Sequence, residues 1–447
     1  MRMGWAAGWT AAAVAWAGTA QAEDDAAAFR DAFLAGEVEW ADVEARAAAE
    51  GAVRFHHWGG STLLNVWLDD VVEAAMARRG IELDAVRLTA TADAVDLVLA
   101  ERAAGNGPGD GAVDVIWVNG ENFATLKDQG ALFGSFAPLL PEAANVDFSD
   151  DPRALPNLRD FGTATDGAEI PWSSEEYVCA VDRARVEDEP NTPAELRAWL
   201  EAEPGRFSYV APPHYLGNTF VQSIVYALNP DGTGAEPFQA DVADVTAEEL
   251  ARLVAPGLDY LRDLEPLLLG GPEAARYFAD EAAQDAAFAS GEVAMACKFG
   301  LYATATGMLT GAVPDAAEQI VFPEGAMIRN KSYLVIPSNA PNPAAALVFA
   351  DWMTSVEAQA SKLTGTGFPA GIDAWMLDEA DADALAEASP GLIGITQEVL
   401  DANAAPDTNA SLVGVIEAAW IAHVQQGDDR GVDAIVAEAH AAALSDR

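Results

Sequence analysis

The chain has 447 residues, enough for two domains or more, and 51% of them are hydrophobic, enough for sizeable cores. Its formal net charge is −47, from 71 acidic and 24 basic side chains. Such a field repels phosphate backbones and anionic membrane surfaces, which argues against nucleic-acid binding. Two interpretations of the charge stay open: a solvated acidic surface suited to salty surroundings, and an acidic trap for cationic substrates.

The N-terminus has the order of a secretory signal peptide. A basic Arg2 precedes a mostly apolar run from Trp5 to Ala17, and small residues follow at Ala20 and Ala22. The apolar run is too short to span a bilayer comfortably. The sequence therefore predicts a signal peptide over residues 1–22, export to the periplasm and no membrane insertion of the mature chain.

Strand and helix patterns alternate in the part that follows. Residues 24–50 have the pattern of a helical arm, and "AVRFHHW" is a strand that ends at Gly59–Gly60. Ser61 or Thr62 caps the next helix. "LDAVRLTA", a second helix and "AVDVIWV" complete a βαβαβ order, which predicts a mostly parallel sheet flanked by helices. In such sheets ligands bind beyond the carboxyl ends of the strands.

A second α/β region begins at "AEIPWSSEEYVCAVD". We expect the chain to cross between two lobes near residues 165–172 and to return near 320–330, with a separate sheet in each lobe. A helix is predicted to start near Asn218 or Thr219. Residues 376–447 are rich in Ala, Asp and Glu with helical apolar spacing, so we expect helices packed on a lobe rather than a third domain.

The two cysteines, Cys179 and Cys297, both lie in apolar runs. Export permits a disulfide, but a buried free thiol fits these runs equally well, so both alternatives stay open. The cysteines and the five histidines show no zinc-type spacing. We therefore expect neither a structural metal nor a cofactor.

Several stretches together resemble a known family. "SGEVAM" and "YLVIPSNAPNPAAALVFADWM" are similar to the extracytoplasmic solute-binding proteins of ABC importers. "HWGG", "ADAVDLVLAERAAG", "DVIWVNGENF" and "PGRFSYVAPPHYLGNTF" resemble the YnjB-like subfamily. The resemblance covers roughly residues 50–370. It implies a two-lobed α/β fold of the type II-like periplasmic-binding-protein class, a ligand cleft between the lobes, and delivery to a membrane permease by a monomer without catalysis.

With this fold, we expect the chain to divide into five parts. It comprises a signal peptide (1–22), the first part of lobe 1 (23–170), lobe 2 (171–324), the return segment of lobe 1 (325–375) and the C-terminal helices (376–447).

Polar and aromatic residues at the strand ends are the candidate ligand contacts. Small-molecule pockets need a few polar groups among aromatic walls, and amides at a helix start accept an oxygen of a ligand. Each candidate has a structural alternative, either in the core or in helix capping. The candidates are Trp58, Gly60, Ser61, Asn119, Glu121, Asn122, Trp172, Asn218, Thr219, Lys298, Tyr302 and Tyr333. His56 and His57 are interpreted as structural.

The carboxylate of Glu121 and the rings of Trp58 and Trp172 favour a cationic or amine-bearing organic ligand, because ring faces attract cations. Lys298 and the helix-start amides would suit an anionic end, so a zwitterion is also consistent. Two other functions stay open. A ferric-ion binder would need convergent tyrosines, and Tyr209, Tyr215 and Tyr226 are spread out. An exported hydrolase would need a nucleophile or metal motif, and neither a G-x-S-x-G elbow nor an H-E-x-x-H pair occurs.

Overall fold

The computed structural model describes residues 25–272 and 275–445. The predicted signal peptide lies outside these residues. In the described ranges no helix combines the length and apolar character that a membrane crossing requires.

The strands of the described chain, in order, are β1 (Ala52–Trp58), β2 (Glu82–Leu88), β3 (Val115–Val118), β4 (Arg159–Asp160), β5 (Thr163–Ala164), β6 (Glu169–Asp182), β7 (Met295–Phe299), β8 (Ala317–Ile320), β9 (Met327–Val335) and β10 (Ala404–Ala405).

The helices of the first half are α1 (25–34), α2 (Trp40–Glu50), α3 (Thr62–Trp67), α4 (Glu73–Ala77), α5 (Ala92–Ala103), α6 (Glu121–Asp128), α7 (Leu155–Leu158), α8 (Pro193–Ala202) and α9 (Tyr215–Ala227). Those of the second half are α10 (Ala247–Leu264), α11 (Glu281–Ser290), α12 (Ala303–Thr310), α13 (Pro343–Met353), α14 (Val356–Thr366), α15 (Glu379–Ala388), α16 (Gln397–Asn403), α17 (Ala410–Trp420) and α18 (Val432–Ser445). A π-helical segment, Leu68–Val72, joins α3 to α4.

The main sheet is mixed, with strand order β2-β1-β3-β9-β6-β7. Along this path β2, β1 and β3 pair in parallel, as the βαβαβ pattern predicts, whereas β9, β6 and β7 join by antiparallel pairing. The short strand β10 adds to β9 in parallel. The expectation of separate sheets is wrong. The long strand β6 pairs with β9 over residues 169–176 and with β7 and β8 over 177–182, so the hydrogen-bonding path is continuous.

Two large apolar cores lie at either end of this sheet. The core of the first lobe packs β1 and β3 against α2, α3 and α13, and includes Phe55 and Phe349. The core of the second lobe packs β6 and β7 against α9, α10, α17 and α18, and includes Phe220 and Trp420. The strands β6 and β9 run between the two cores, which gives the α/β fold its two lobes.

The tail forms helices, and they attach to both lobes. α15 packs on α14, whereas α17 and α18 pack on α10. Ile416 and Trp420 are fully enclosed in the second core, while Val399 of the predicted apolar stripe is exposed. Burial of this kind makes α17 part of the second core.

Cys179 and Cys297 form a disulfide. They are directly opposite each other in the antiparallel pair β6–β7, which brings their side chains to the same face. The alternative of two free thiols is therefore wrong for this structure.

Candidate ligand-binding site

The carboxyl ends of β1 and β3 form one rim of the candidate site. The two strands are parallel neighbours with Phe55 opposite Val115, so their ends lie side by side. Trp58, the last residue of β1, is half-buried and meets the ring of Trp117 edge-on, with 6.2 Å between centroids. Gly60 lies against the Trp58 ring so closely that an added Cβ would be 2.0 Å from it. This rim therefore presents an indole face held by a glycine turn.

Ser61 caps α3, because its Oγ accepts a hydrogen bond from the Leu64 amide at 3.3 Å. The helix begins at Thr62, as predicted. Ser61 is half-buried and Gly60 is exposed, so both remain at the same rim as Trp58.

The second part of this rim is the loop Asn119–Asn122, which carries the start of α6. Gly120 is the N-cap residue and has a φ of 58°, a conformation that glycine adopts without steric cost. No side chain caps this helix start, so the capping alternative for Asn119 and Asn122 is not what the structure shows. Within the described residues the amide side chains of Asn119 and Asn122 form no hydrogen bond and are half-buried, which leaves them free for a ligand.

Glu121 is exposed at the protein surface, yet its carboxyl group is partly enclosed by neighbouring protein atoms. This enclosure raises the pKa of its carboxyl group, and repulsion from Glu417 of α17 adds to the effect. Glu417 accepts a hydrogen bond from Asn218 Nδ2 at 2.8 Å. The structure thus brings Glu121 of the first lobe toward Asn218 and Glu417 of the second.

The second lobe contributes an aromatic wall at the start of α9. The helix begins at Tyr215 and is capped by His214, so the predicted start near Asn218 or Thr219 is wrong by one turn. Tyr215 stacks on His214 at 4.6 Å and on Phe299 at 6.3 Å, yet 48% of its surface is exposed. An exposed ring held by two others is well placed to contact a ligand.

Four of the predicted site residues have structural roles. Trp172 is fully buried in the first core, with its ring 4.9 Å from Trp117. Thr219 is buried, and its Oγ1 donates a hydrogen bond to the carbonyl of Tyr215 at 2.9 Å. Tyr333 is also buried, and its hydroxyl donates to the carbonyl of Pro156. Lys298 donates to Glu281 at 3.0 Å and to Asp285 at 2.7 Å, which neutralises its charge. For these four residues the structural alternative has support, and direct contact with a ligand stays a prediction.

Tyr302 lies between the lobes. It is half-buried and packs against Leu301 on one side and against Leu363 and Ile372 on the other. Burial raises the pKa of its phenol. Its position fits a contact between the lobes better than a direct ligand contact.

Glu175 of β6 is a further candidate that the sequence analysis did not identify. Burial raises the pKa of its carboxyl group to about 8, and repulsion from Glu176 adds to the shift, while the ammonium of Lys362 opposes it. An ionised Glu175 adds to the raised pKa values of Tyr215 and Tyr302, so its carboxyl group lies near both phenols. Because neighbouring side chains of a strand point to opposite faces, Glu175 and Glu176 of β6 lie on opposite sides of the sheet.

Comparison with known proteins agrees with this geometry. A family model described as bacterial extracellular solute-binding protein matches residues 70–389. Protein YnjB of Escherichia coli (strain K12) is 31% identical over 385 residues, which cover 86% of this chain and 93% of that protein. The solved structure of a chitin oligosaccharide binding protein is 17% identical with a TM-score of 0.64, over 88% of this chain and 98% of that one. A cyclic alpha-maltosyl-1,6-maltose binding protein from Arthrobacter globiformis is 18% identical with a TM-score of 0.60, over 89% and 99% of the two chains. The chain therefore belongs to the bacterial extracellular solute-binding proteins, which have a two-lobed fold and work in ABC importers.

Proposed function

We propose that this solute-binding protein takes up a cationic or zwitterionic organic molecule between its lobes in the periplasm and delivers it to an inner-membrane ABC permease. It does so as an exported monomer, with the lobe ranges and signal peptide expected from the sequence, and without covalent chemistry. The permease would recognise the closed form, so affinity and transport would both depend on closure of the lobes.

The observation that carries the proposal is a pair of carboxylates that have no ion-pair partner among the described residues and lie near aromatic residues of both lobes. Glu121 and Glu417 approach each other across the lobe junction, and neither has an ion-pair partner within the described part of the chain. Trp58 ends β1 beside β3 in the first lobe, and Tyr215 begins α9, one turn before Asn218, in the second. An ammonium group would offset the repulsion of the carboxylates and bind the ring faces at the same time.

The proposed contacts are Trp58, Gly60, Ser61, Asn119, Glu121, Asn122, Tyr215, Asn218, Glu175 and Glu417. Because Lys298 is neutralised by two carboxylates, an anionic end of a zwitterion would rely on the amides near Gly60 and Ser61. The ligands of the sugar-binding relatives belong to those proteins, and their identity to this chain is too low to transfer them.

The ferric-ion alternative has less support. Tyr226 shares a hydrogen bond of 2.7 Å with Thr408, and Tyr209 accepts one of 3.1 Å from Trp420 inside the second core. These hydroxyls are therefore turned away from the lobe junction. A coloured complex on addition of ferric salts would revive this alternative, and turnover of a generic ester panel would revive the hydrolase.

A thermal-shift panel tests the proposed ligand class. Amines, polyamines, amino acids, sugars and organic acids are each added in large excess. A ligand at a hundredfold excess over its Kd stabilises the folded state by about 2.7 kcal/mol, which should raise the Tm by several degrees. We expect amine-bearing compounds to give the shift, and Glu121→Gln to reduce it for the best of them.

The matched control is Glu324→Gln, which removes an exposed carboxylate away from the junction. The proposal fails if only sugars or acids raise the Tm, or if Glu121→Gln and Glu324→Gln behave alike toward the best amine. Export is tested separately, because the mass of the periplasmic protein would show cleavage after Ala22.

A further inference from the structure

A short hairpin lies between the candidate ligand loop and the second lobe. It consists of β4 and β5, and Phe161 and Gly162 form its turn. On the side of the first lobe, the buried carboxyl group of Asp160 accepts a hydrogen bond of 2.7 Å from the Gly120 amide. The Phe161 ring lies under Gly120, where an added Cβ would be 3.2 Å from it. The hairpin therefore contacts the loop that carries Asn119 and Glu121.

The other side of the hairpin contacts the start of α17. The Ala410 amide donates a hydrogen bond of 2.8 Å to the carbonyl of Phe161. The neighbouring Asn409 donates its amide to the carbonyl of Phe238 at 2.8 Å, and Thr408 bonds Tyr226. Since Phe238 and Tyr226 belong to the second core, this segment is attached to the second lobe.

The turn of the hairpin has an unusual backbone. Phe161 has a φ of 43°, in the left-handed region that bulky residues rarely adopt. Such a conformation costs about 1–3 kcal/mol and persists only where the surroundings determine it. Here the determinants are the ring contact with Gly120 and the hydrogen bond from Ala410, one from each lobe.

We propose that Asp160 is a positioning residue of the ligand loop, and that Phe161 couples this loop to α17 so that the two shift together. Asp160 fixes Gly120, and through it the direction of Asn119 and Glu121. The role in ligand binding rests on the proposed function, because it requires Glu121 to contact the ligand. The coupling itself does not.

The surroundings of Asp160 make the coupling sensitive to pH. Burial raises the pKa of its carboxyl group to about 8, the Gly120 amide opposes the shift, and Glu121 adds to it. A small cavity of about 20 Å³ separates the hairpin from the segment before α17, room for about one water molecule. The titratable and charged groups that face this region come from five parts of the chain. They are Arg159 on β4, Glu121 and Lys127 on α6, Glu169 on β6, Arg329 and Tyr333 on β9, and Asp407 before α17.

The direction of the pH dependence follows from the carboxyl groups around Asp160. Glu169 and Asp407 are also buried, and burial raises the pKa of each well above its usual range. Ionising Asp160 would therefore place a charge beside other buried carboxyl groups. The arrangement is held with the Asp160 proton in place, and it weakens as the pH rises through about 8.

Amide NMR of the ligand-free protein tests the coupling directly. The chain is labelled with ¹⁵N-glycine and ¹⁵N-alanine, and Gly120 and Ala410 are assigned by the loss of their signals in Gly120→Ala and Ala410→Ser. We expect both signals to shift with pH along one curve with a midpoint near 8. Asp160→Asn keeps an oxygen that accepts from Gly120, so it should hold both signals at their low-pH positions and abolish the titration. Asp160→Ala should move both signals at every pH.

The control is Asp188→Asn at an exposed site, which should leave both curves unchanged. A pH titration of the Gly120 signal that persists unchanged in Asp160→Asn would overturn the role of Asp160. An Ala410 signal that stays still while Gly120 titrates would overturn the coupling. If Asp160→Ala does not fold, the Asp160→Asn curves alone decide between these outcomes. No ligand is present, so these results are independent of the thermal-shift panel.

Discussion

Gly60 has only a hydrogen atom as its side chain, which allows the Trp58 ring to lie across the start of α3. The nearest atoms to an added Cβ are all in that ring, at 2.0 to 2.7 Å. A side chain at residue 60 must therefore push the indole out of its present place. Because the ring lies at the end of a flexible side chain, the fold should tolerate the change even though the rim does not.

We predict that Gly60→Ala leaves the Tm within about 2 °C of the parent and weakens binding of the best amine by roughly tenfold, about 1.4 kcal/mol. Isothermal titration measures the affinity. The comparison variant is Gly365→Ala, at an exposed glycine of α14 where an added Cβ would make only an ordinary contact, 3.6 Å from the Trp67 ring. Equal affinities of the two variants would show that the Trp58 ring is not part of the ligand wall.

At this scale the sequence predicts where the polar loops follow the strands, but it does not predict how far each aromatic ring is buried. Asn119, Glu121 and Asn122 follow a buried strand, and strand ends face a site in any sheet of this kind. The sequence around Trp172 predicts a ring near the ligand equally well. The pairing of β6 with β9 is irregular between Pro171 and Ser173, however, and the Trp172 ring is buried. The partners that neutralise Lys298 come from α11, and no local pattern identifies them.

At the scale of elements, the disulfide joins the strand that runs between the lobes to the outer strand β7. Its two cysteines are 118 residues apart in sequence. Closing a loop of that length removes much of the conformational freedom of the unfolded chain, and bridges of this kind contribute about 2–4 kcal/mol.

We expect the double variant Cys179→Ala/Cys297→Ala to lower the free energy of unfolding by about 2–4 kcal/mol, measured by urea denaturation. The parent protein unfolded in the presence of dithiothreitol serves as the matched comparison and should lose a similar amount. An unchanged midpoint in both experiments would mean that the bridge contributes nothing to stability.

The C-terminal helices offer a second test at this scale. Trp420 of α17 is fully buried and its Nε1 donates to the hydroxyl of Tyr209 at 3.1 Å, deep in the second core. Removing residues 376–447 would expose that surface, so we predict that the truncated chain aggregates in size-exclusion chromatography. Trp420→Ala alone should cost about 3–5 kcal/mol of stability. A soluble truncated protein with an unchanged Tm would contradict this role of α17.

Helical spacing in the tail predicts these helices, but it does not predict where they pack. Val399 and Trp420 lie on similar apolar stripes, yet the first is exposed and the second is buried. The continuous sheet was missed for a related reason. The stretch that contains Trp172 and Cys179 has signals for a lobe crossing and for a strand, and the sequence gives no sign that one strand of 14 residues serves both.

For the whole molecule, the dominant property is the net charge of −47. Self-repulsion at this density opposes the compact state, and salt screens it, since the Debye length falls from about 10 Å at 0.1 M to about 3 Å at 1 M. We predict that the Tm rises steadily as NaCl increases from 0.1 to 1 M. Sucrose of equal osmolality is the control for non-electrostatic effects. A Tm that falls with NaCl would show that ion pairs contribute more than repulsion.

The surroundings of the four lysines determine how fast the native protein reacts with amine-coupling reagents. Lys331 and Lys362 are enclosed, and their ammonium groups donate to Asp373 and to the carbonyls of Trp172 and Pro369. Lys127 and Lys298 are tied to carboxylates. These are all the lysines of the chain. Acylating dyes that couple to primary amines should therefore modify Lys331 and Lys362 slowly in the native protein and fully in the denatured protein, so the rate at which these two lysines are acylated becomes a direct measure of unfolding.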